Sequence, residues 1–106
     1  MNITVKIKSS SGDGELIENI LTFEYSHYEI PREADGRINW PALNGMAIDE
    51  SFIQAVKNAM TENRVEVLDP DNWTTEAFVV GVDEELIEED YDFSMLEDRI
   101  MTGDLL

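Results

Sequence analysis

The chain of 106 residues contains no cysteine, so neither a disulfide nor a thiolate metal site can form. No apolar run approaches the 18 residues of a membrane-spanning helix. The N-terminal residues 1–8 alternate in polarity instead of forming the apolar core of a signal peptide. We therefore expect a cytoplasmic protein, in a bacterium or an infected cell, that has no membrane partner.

Residues that carry out catalysis are also scarce. His27 is the single histidine, and none of the serines lies in a Gly-x-Ser-x-Gly motif. Residues 12–14, Gly-Asp-Gly, lack the lysine and the strand-helix context of a phosphate-binding loop. Residues 69–72 resemble a calcium loop in part, but the glycine and the glutamate at position twelve are missing. We expect no enzyme, no cofactor and no dedicated metal site.

Basic residues are few compared with acidic ones. The chain has 24 Asp and Glu against 7 Lys and Arg, a net charge of −17. Residues 1–64 contain 10 acids and 6 bases, whereas residues 65–106 contain 14 acids and one base. The run 83–92 contains seven carboxylates and no base. Such a field repels nucleic acid and membrane surfaces and speeds association with basic proteins.

Apolar residues make up 42% of the chain and nine residues are aromatic, enough for a folded core in one domain, residues 1–106. Alternation over residues 3–7 predicts a first strand. Residues 9–14 predict a turn, and residues 20–26 a second strand paired with the first as a hairpin. In that hairpin we expect Lys6 and Lys8 to face Glu24 and its neighbours.

The clearest helix signal spans Glu50 to Glu62, with Asp49 as its N-cap and Asn63 as a left-handed stop. Its apolar stripe follows helical spacing and consists of Phe52, Val56, Ala59 and Met60. Residues 27–47 are interrupted by proline and glycine, with one possible helical turn at 41–43. A loop of this length in a small domain is often functional, so this segment is a second candidate surface.

The remaining segments complete the predicted fold. Residues 64–68 predict a third strand, and the apolar run 77–82 predicts a central fourth strand. Asp83 could cap a short helix that ends at Glu89, and residues 95–101 predict a last helix. The expected fold class is α+β: a small, mostly antiparallel sheet in β-β-α-β-β-α order, with a helix packed on one face and acidic C-terminal helices.

If residues 83–89 are helical, Glu84/Glu88 and Glu85/Glu89 are like-charge i, i+4 pairs, which destabilise a helix. A sequence that keeps this repulsion suggests that the negative field serves to attract a partner. The bland interpretation is a solvated helix face that keeps the protein soluble. We favour a partner-binding surface. Its predicted residues are Asp83, Glu84, Glu85, Glu88, Glu89, Asp90, Tyr91, Asp92, Glu97 and Asp98.

The charge density is comparable with that of duplex DNA, which carries one charge per roughly 1.7 Å of axis. In size, acidity and lack of cysteine the chain is similar to phage anti-restriction and anti-CRISPR proteins, as a class. That resemblance implies an inhibitor that fills the basic, nucleic-acid-binding groove of a target protein and does not bind nucleic acid itself. The alternative is an acidic protein-binding module, such as an immunity protein, antitoxin or regulatory subunit. A phage structural protein, which would self-associate, is a third possibility.

Overall fold

The computed structural model describes residues 1–26, 29–46, 49–66, 68–69, 71–87 and 100–101. The expected α+β class is confirmed: a curled antiparallel sheet packs against helices. Along the chain the elements are β1 (Asn2–Ser11), β2 (Leu16–Glu24), α1 (Trp40–Met46), α2 (Glu50–Glu62), β3 (Trp73–Val82), β4 (Glu85–Leu86) and β5 (Ile100–Met101). The sheet order is β2-β1-β3-β4, and β5 also pairs with β3. None of the helices within the described ranges is long and apolar enough to cross a membrane.

The first two strands form the predicted hairpin. Ile3, Val5 and Ile7 are buried on the face that meets the helices, as their alternation predicts. The turn is shorter than expected, because Ser9, Ser10 and Ser11 continue β1.

The expected pairing of Lys6 and Lys8 with Glu24 is wrong. The register places Glu24 opposite Asn2 and Glu18 opposite Lys8. The ammonium group of Lys6 lies 3.2 Å from the carboxylate of Glu18. The acid that faces the two lysines is therefore Glu18, near the N-terminal end of β2, because β2 begins at Leu16 rather than at Ile20.

Helix α2 has the predicted bounds and the predicted N-cap. The Asp49 carboxylate accepts the backbone N–H of Ser51 at 2.8 Å, which satisfies one of the free donors of the first turn. The predicted stripe of Phe52, Val56, Ala59 and Met60 is buried against the sheet, together with Ile53.

The end of α2 differs from the prediction. Asn63 has a φ of −97°, and the left-handed position is taken by Arg64 at 57°. The backbone N–H of Val65 donates to the carbonyl of Met60 at 2.8 Å and closes the helix end. This bond uses a donor that a sheet ladder would need. The predicted third strand over residues 64–68 is therefore wrong at its described residues, which follow the helix without regular structure.

The apolar run that predicts a central strand lies in β3, which pairs with β1 on one side and with β4 and β5 on the other. Between β4 and β5, the Asn44 side chain takes the place of a neighbouring strand. Its amide oxygen accepts the N–H of Val79 at 2.7 Å, and its amide nitrogen donates to the Val79 carbonyl at 3.2 Å. Asn44 comes from α1, which is longer than the single helical turn predicted at residues 41–43.

The predicted helix from Asp83 to Glu89 is wrong over its described part. Glu85–Leu86 form strand β4, which folds back on β3. The Asp83 carboxylate accepts the N–H of Asn2, 81 positions away, instead of an N–H of its own segment. Of the helix predicted over residues 95–101, the last two residues form β5. Residues 88–99 and 102–106 lie outside the described residues, so the expected acidic C-terminal helices are not confirmed.

Candidate protein-binding surface

The acidic run begins in a two-residue turn. Val82 pairs with Glu85, which leaves Asp83 and Glu84 as the turn residues between β3 and β4. Asp83 has a φ of 53°, in the left-handed region that aspartate tolerates better than most residues. Its backbone N–H donates to the Asn2 carbonyl at 2.7 Å, and its carboxylate accepts the Asn2 N–H at 2.8 Å. The hairpin is therefore tied to the start of β1, and both turn side chains are exposed.

The next acid, Glu85, is held by an arginine from the distant 27–47 segment. Arg32 donates two parallel hydrogen bonds to the two carboxylate oxygens of Glu85, at 2.9 and 2.7 Å. Arg32 also donates to the carbonyl of Gly36 at 2.9 Å, which fixes its position. The hydrogen bonds from Arg32, and secondarily its charge, hold the pKa of Glu85 below its ordinary value.

The segment that carries Arg32 is itself a compact loop. Arg32 pairs with Ile38 in an isolated antiparallel bridge, and a tight turn between them places Gly36 at a φ of 90°. Arg37 contacts two acids of the same turn, Asp35 at 2.7 Å and Glu33 at 3.9 Å. Hydrogen bonds from the Arg37 backbone and then from its side chain lower the pKa of Asp35.

A groove of about 450 Å³ lies between this loop and the β3–β4 hairpin. Its lining is half apolar and half polar or charged, and consists of Glu33, Arg37, Ile38, Asn39, Trp40, Pro41, Glu85 and Leu86. Leu86 is 66% exposed, whereas Ile38 is buried. We call residues 31–41 together with residues 83–86 the hairpin surface. From the sequence, the 27–47 loop and the acidic run that begins at Asp83 were two separate candidate surfaces. In the fold their described parts lie side by side.

The hairpin surface carries five acids and two bases, a net charge of −3. Both arginines are engaged in ion pairs within the surface. Among the described residues, Glu84 has no ion-pair or hydrogen-bond partner for its side chain, and it is exposed at the tip of the turn. Glu84 is thus the carboxylate of this surface best placed to meet a cation from outside.

Three of the ten predicted site residues, Asp83, Glu84 and Glu85, are brought together in this hairpin. The like-charge helical pairs expected at Glu84 and Glu85 do not form, because these residues lie in a turn and a strand. The other seven predicted site residues lie outside the described residues: Glu88, Glu89, Asp90, Tyr91, Asp92, Glu97 and Asp98.

Sequence reasoning missed the roles of Arg32, Trp40 and Leu86. Arg32 lies 53 positions from its partner Glu85, and no periodic pattern links two such positions. The only signal for Arg32 in the sequence was its composition. Arg32 is one of the few bases in a chain where acids greatly outnumber bases, and it follows a proline in a long loop.

Other parts of the surface are less suited to a uniform anionic contact. On the open face of the sheet, Lys8 lies between Glu18 and Glu76 in the strand register, and Lys6 pairs with Glu18. The segment that resembles a calcium loop forms a turn in which the Asp69 carboxylate accepts the backbone N–H of Asp71 at 3.0 Å. Within the part of the chain that is described, no three His, Asp or Glu side chains are grouped so as to hold a metal ion.

The fold and the hairpin surface define a small, strongly acidic α+β protein with a charged turn beside a groove of mixed polarity. Compared with known proteins, the chain matches no family model, no curated protein and no solved structure.

Proposed function

We propose that this protein is an acidic inhibitor that occupies the basic, nucleic-acid-binding groove of a target protein. The observation that carries the proposal is charge in relation to size. The protein has principal extents of 41 × 27 × 20 Å and a total of 24 carboxylates. A duplex as long as its longest axis would carry about 24 phosphates, at one charge per roughly 1.7 Å. The total number of negative charges per length of this protein is therefore comparable with that of a duplex of the same length.

The hairpin surface supplies the first contacts in this proposal. Glu84 meets a lysine or arginine of the target, and Asp83 adds negative potential beside it. The apolar part of the groove, with Leu86 and Trp40, receives the aliphatic stem of that basic side chain. The seven predicted site residues after Ile87 remain candidate contacts in the proposal. Long-range attraction speeds the encounter, whereas the groove gives the contact its shape.

A second candidate function is an acidic binding module that does not imitate nucleic acid, such as an immunity protein, antitoxin or regulatory subunit. The mixed charge of the surface favours it: Lys6 and Lys8 interrupt the acids on the open sheet face, and two arginines lie within the hairpin surface. Under this alternative the target is still basic, but it binds nucleic acid and this protein at different places.

A pair of charge variants tests the surface. In the double substitution D83N and E84K, the side-chain oxygen of asparagine at position 83 can still accept the Asn2 N–H. The two substitutions together change the net charge of the protein by +3. The matched control, D13N and E15K, makes the same change in the β1–β2 turn, at the other end of β1 and about 30 Å away at 3.3 Å per residue. Both variants should keep the wild-type circular dichroism spectrum, because the changed side chains are exposed.

Immobilised wild-type protein should retain basic proteins from a bacterial lysate at 0.05 M salt and release them as salt rises. The control variant should retain most of the same proteins, and the D83N/E84K variant should retain at least tenfold less. Equal retention by the two variants would show that the hairpin surface is not the contact, and retention that does not depend on salt would contradict an electrostatic complex.

A further inference from the structure

Strand β2 lies at an open edge of the sheet. It is nine residues long, and within the described part of the chain it pairs only with β1. The N–H of Tyr25 donates to the Met1 carbonyl at 2.9 Å, so odd-numbered residues form the hydrogen-bonded pairs of this ladder. The even-numbered residues of β2 therefore direct their N–H and C=O groups away from β1. The described residues provide no partner for these groups.

This edge has few of the devices that usually prevent strand pairing, since its only charged residues are Glu18 and Glu24. It contains no proline, no lysine and no arginine, and its register with β1 is regular over the whole strand. Leu16, Ile17 and Ile20 are 53%, 42% and 67% exposed. Among the described residues, these are three of the four large hydrophobic side chains with such exposure. Leu16 and Ile20 point to one face of the sheet and Ile17 to the other, so the edge is apolar on both sides.

We infer that β2 pairs with β2 of a second copy of this chain, antiparallel and about a two-fold axis at Ile20. In this register Ile20 lies opposite Ile20 of the second copy, and Ile17 lies opposite Phe23. Glu18 lies opposite Thr22, and Glu24 lies opposite Leu16. All residues from 16 to 24 are paired, and no glutamate faces a glutamate directly. The even-numbered backbone groups meet as hydrogen-bonded pairs.

Neighbouring registers with the same hydrogen-bond pattern fit less well. A two-fold axis at Asn19 places Glu18 opposite Ile20 and pairs only residues 16–22, and an axis at Leu21 places Glu18 opposite Glu24 and pairs only residues 18–24. A two-fold axis at Glu18 places this carboxylate opposite its own copy and pairs only residues 16–20. An axis at Thr22 places Ile20 opposite Glu24 and pairs only residues 20–24. The register about Ile20 is thus the one that pairs all nine residues of β2 without placing a glutamate opposite a glutamate, and such self-complementarity is the condition for an isologous contact.

Charge also favours a second copy over a basic peptide at this edge. Of the two acids of β2, Glu18 is already paired with Lys6, 3.2 Å away, so within the described part of the chain only Glu24, at the end of the strand, presents an uncompensated negative charge to a cation. An apolar partner strand matches the exposed leucine and isoleucines better. The whole chain, at −17, opposes the approach of its copy, so the dimer forms only where salt screens that repulsion. This salt dependence is opposite in sign to that of the proposed complex with a basic target.

The mass of the protein in solution tests the inference. A single strand pair is a small interface, so the experiment uses about 0.1 mM chain. In 1 M NaCl, where the Debye length is about 3 Å, light scattering should give close to twice the chain mass of 12.1 kDa. In 0.01 M NaCl, where the Debye length is about 30 Å, it should give the monomer. A monomer in 1 M NaCl would overturn the inference.

Two substitutions locate the contact. I20K places two lysines on the two-fold axis and should abolish the dimer in 1 M NaCl. L86K is the matched control, since Leu86 is 66% exposed and the substitution changes the net charge by the same amount. L86K should dimerise as the wild type does. If both variants lose the dimer equally, or if I20K retains it, the β2 edge is not the interface.

Disulfide cross-linking between introduced cysteines tests the register. Because the natural chain has no cysteine, each variant carries a single thiol at a known position. In a hydrogen-bonded pair the two Cα atoms are about 5.5 Å apart, within disulfide range. I20C should therefore cross-link under mild oxidation in 1 M NaCl. In the same dimer, residue 22 of one copy lies about 13 Å from residue 22 of the other, at 3.3 Å per residue, so T22C should cross-link at least tenfold more slowly. Faster cross-linking of T22C would refute the register.

Discussion

At the scale of single residues, Asn44 is the buried polar side chain on which the outer edge of β3 depends. It is fully buried and hydrogen-bonds both backbone groups of Val79, and its amide nitrogen also donates to the Trp40 carbonyl at 3.0 Å. A side-chain amide can do this because it carries a donor and an acceptor, as a peptide group does. Asn44 thereby links α1 to the central strand.

Replacing Asn44 with alanine should lower the free energy of unfolding by about 2–4 kcal/mol, because the N–H and C=O of Val79 are left buried without partners. Urea unfolding followed by circular dichroism measures the change. N58A is the control: Asn58 is exposed and accepts one hydrogen bond from Gln54, so we expect a change within about 0.5 kcal/mol. Similar losses in the two variants would contradict the role of Asn44.

The Arg32–Glu85 pair predicts a pH dependence. Since the folded protein lowers the pKa of Glu85, the pair stabilises the fold above the ordinary glutamate pKa, and this contribution is lost as pH falls through the lowered value. In R32Q, the NMR titration midpoint of the Glu85 carboxyl carbon should rise towards the ordinary value, and the midpoint of Asp35 should stay unchanged.

The reciprocal variant is the control for that titration. R37Q removes the side-chain hydrogen bond to Asp35 but keeps the backbone one, so the Asp35 midpoint should rise in part while the Glu85 midpoint stays low. If R32Q leaves the Glu85 midpoint unchanged, the bidentate pair does not form in solution.

At the scale of elements, α2 is joined to the end of β2 through its N-cap. The Asp49 carboxylate accepts both the N–H and the hydroxyl of Ser51, and the Ser51 hydroxyl lies 2.6 Å from the hydroxyl of Tyr25. The ring of Tyr25 packs edge-on against Phe52, with ring centroids 5.1 Å apart. The start of the helix is therefore held by polar contacts and by the core together.

Replacing Asp49 with alanine should destabilise the protein by about 1 kcal/mol, the usual effect of losing an N-cap side chain. D49N should retain most of the stability, because its amide oxygen can accept the same N–H. Thermal unfolding at constant protein concentration gives both values. A D49N variant as unstable as D49A would show that the negative charge, rather than the cap hydrogen bond, is what stabilises the helix.

How far the sequence predicted each element depended on the range of its interactions. The bounds, the N-cap and the buried stripe of helix α2 were predicted, since these are local signals, whereas its left-handed stop lies at Arg64 and not at Asn63. The strand pattern of residues 64–68 was misleading, because the N–H of Val65 closes the end of α2 by donating to the Met60 carbonyl. The β3–β4 hairpin was mistaken for a helix, because Asp83 is a good helix cap and its actual partner, Asn2, is distant in sequence. For the same reason the Arg32–Glu85 pair could not be predicted.

At the scale of the whole molecule, the net charge and the apolar edge of β2 have opposite effects on self-association. The net charge of −17 favours a basic partner and resists self-association, whereas the apolar edge of β2 favours a second copy once salt screens the charge. The hairpin surface and the β2 edge are separate, so each can be altered alone. I20K should leave retention of basic proteins at low salt intact, and D83N/E84K should leave the dimer in 1 M NaCl intact.

The central claim is that the acidic surface takes the place of nucleic acid in a basic groove, and displacement tests it most directly. A protein retained by the immobilised wild type is bound to a fluorescent duplex in 0.05 M salt, and fluorescence anisotropy is followed as this protein is added. We predict that the wild type and the D13N/E15K control release the duplex, and that D83N/E84K requires at least tenfold more protein. A complex in which the target holds the duplex and this protein at the same time would contradict the claim.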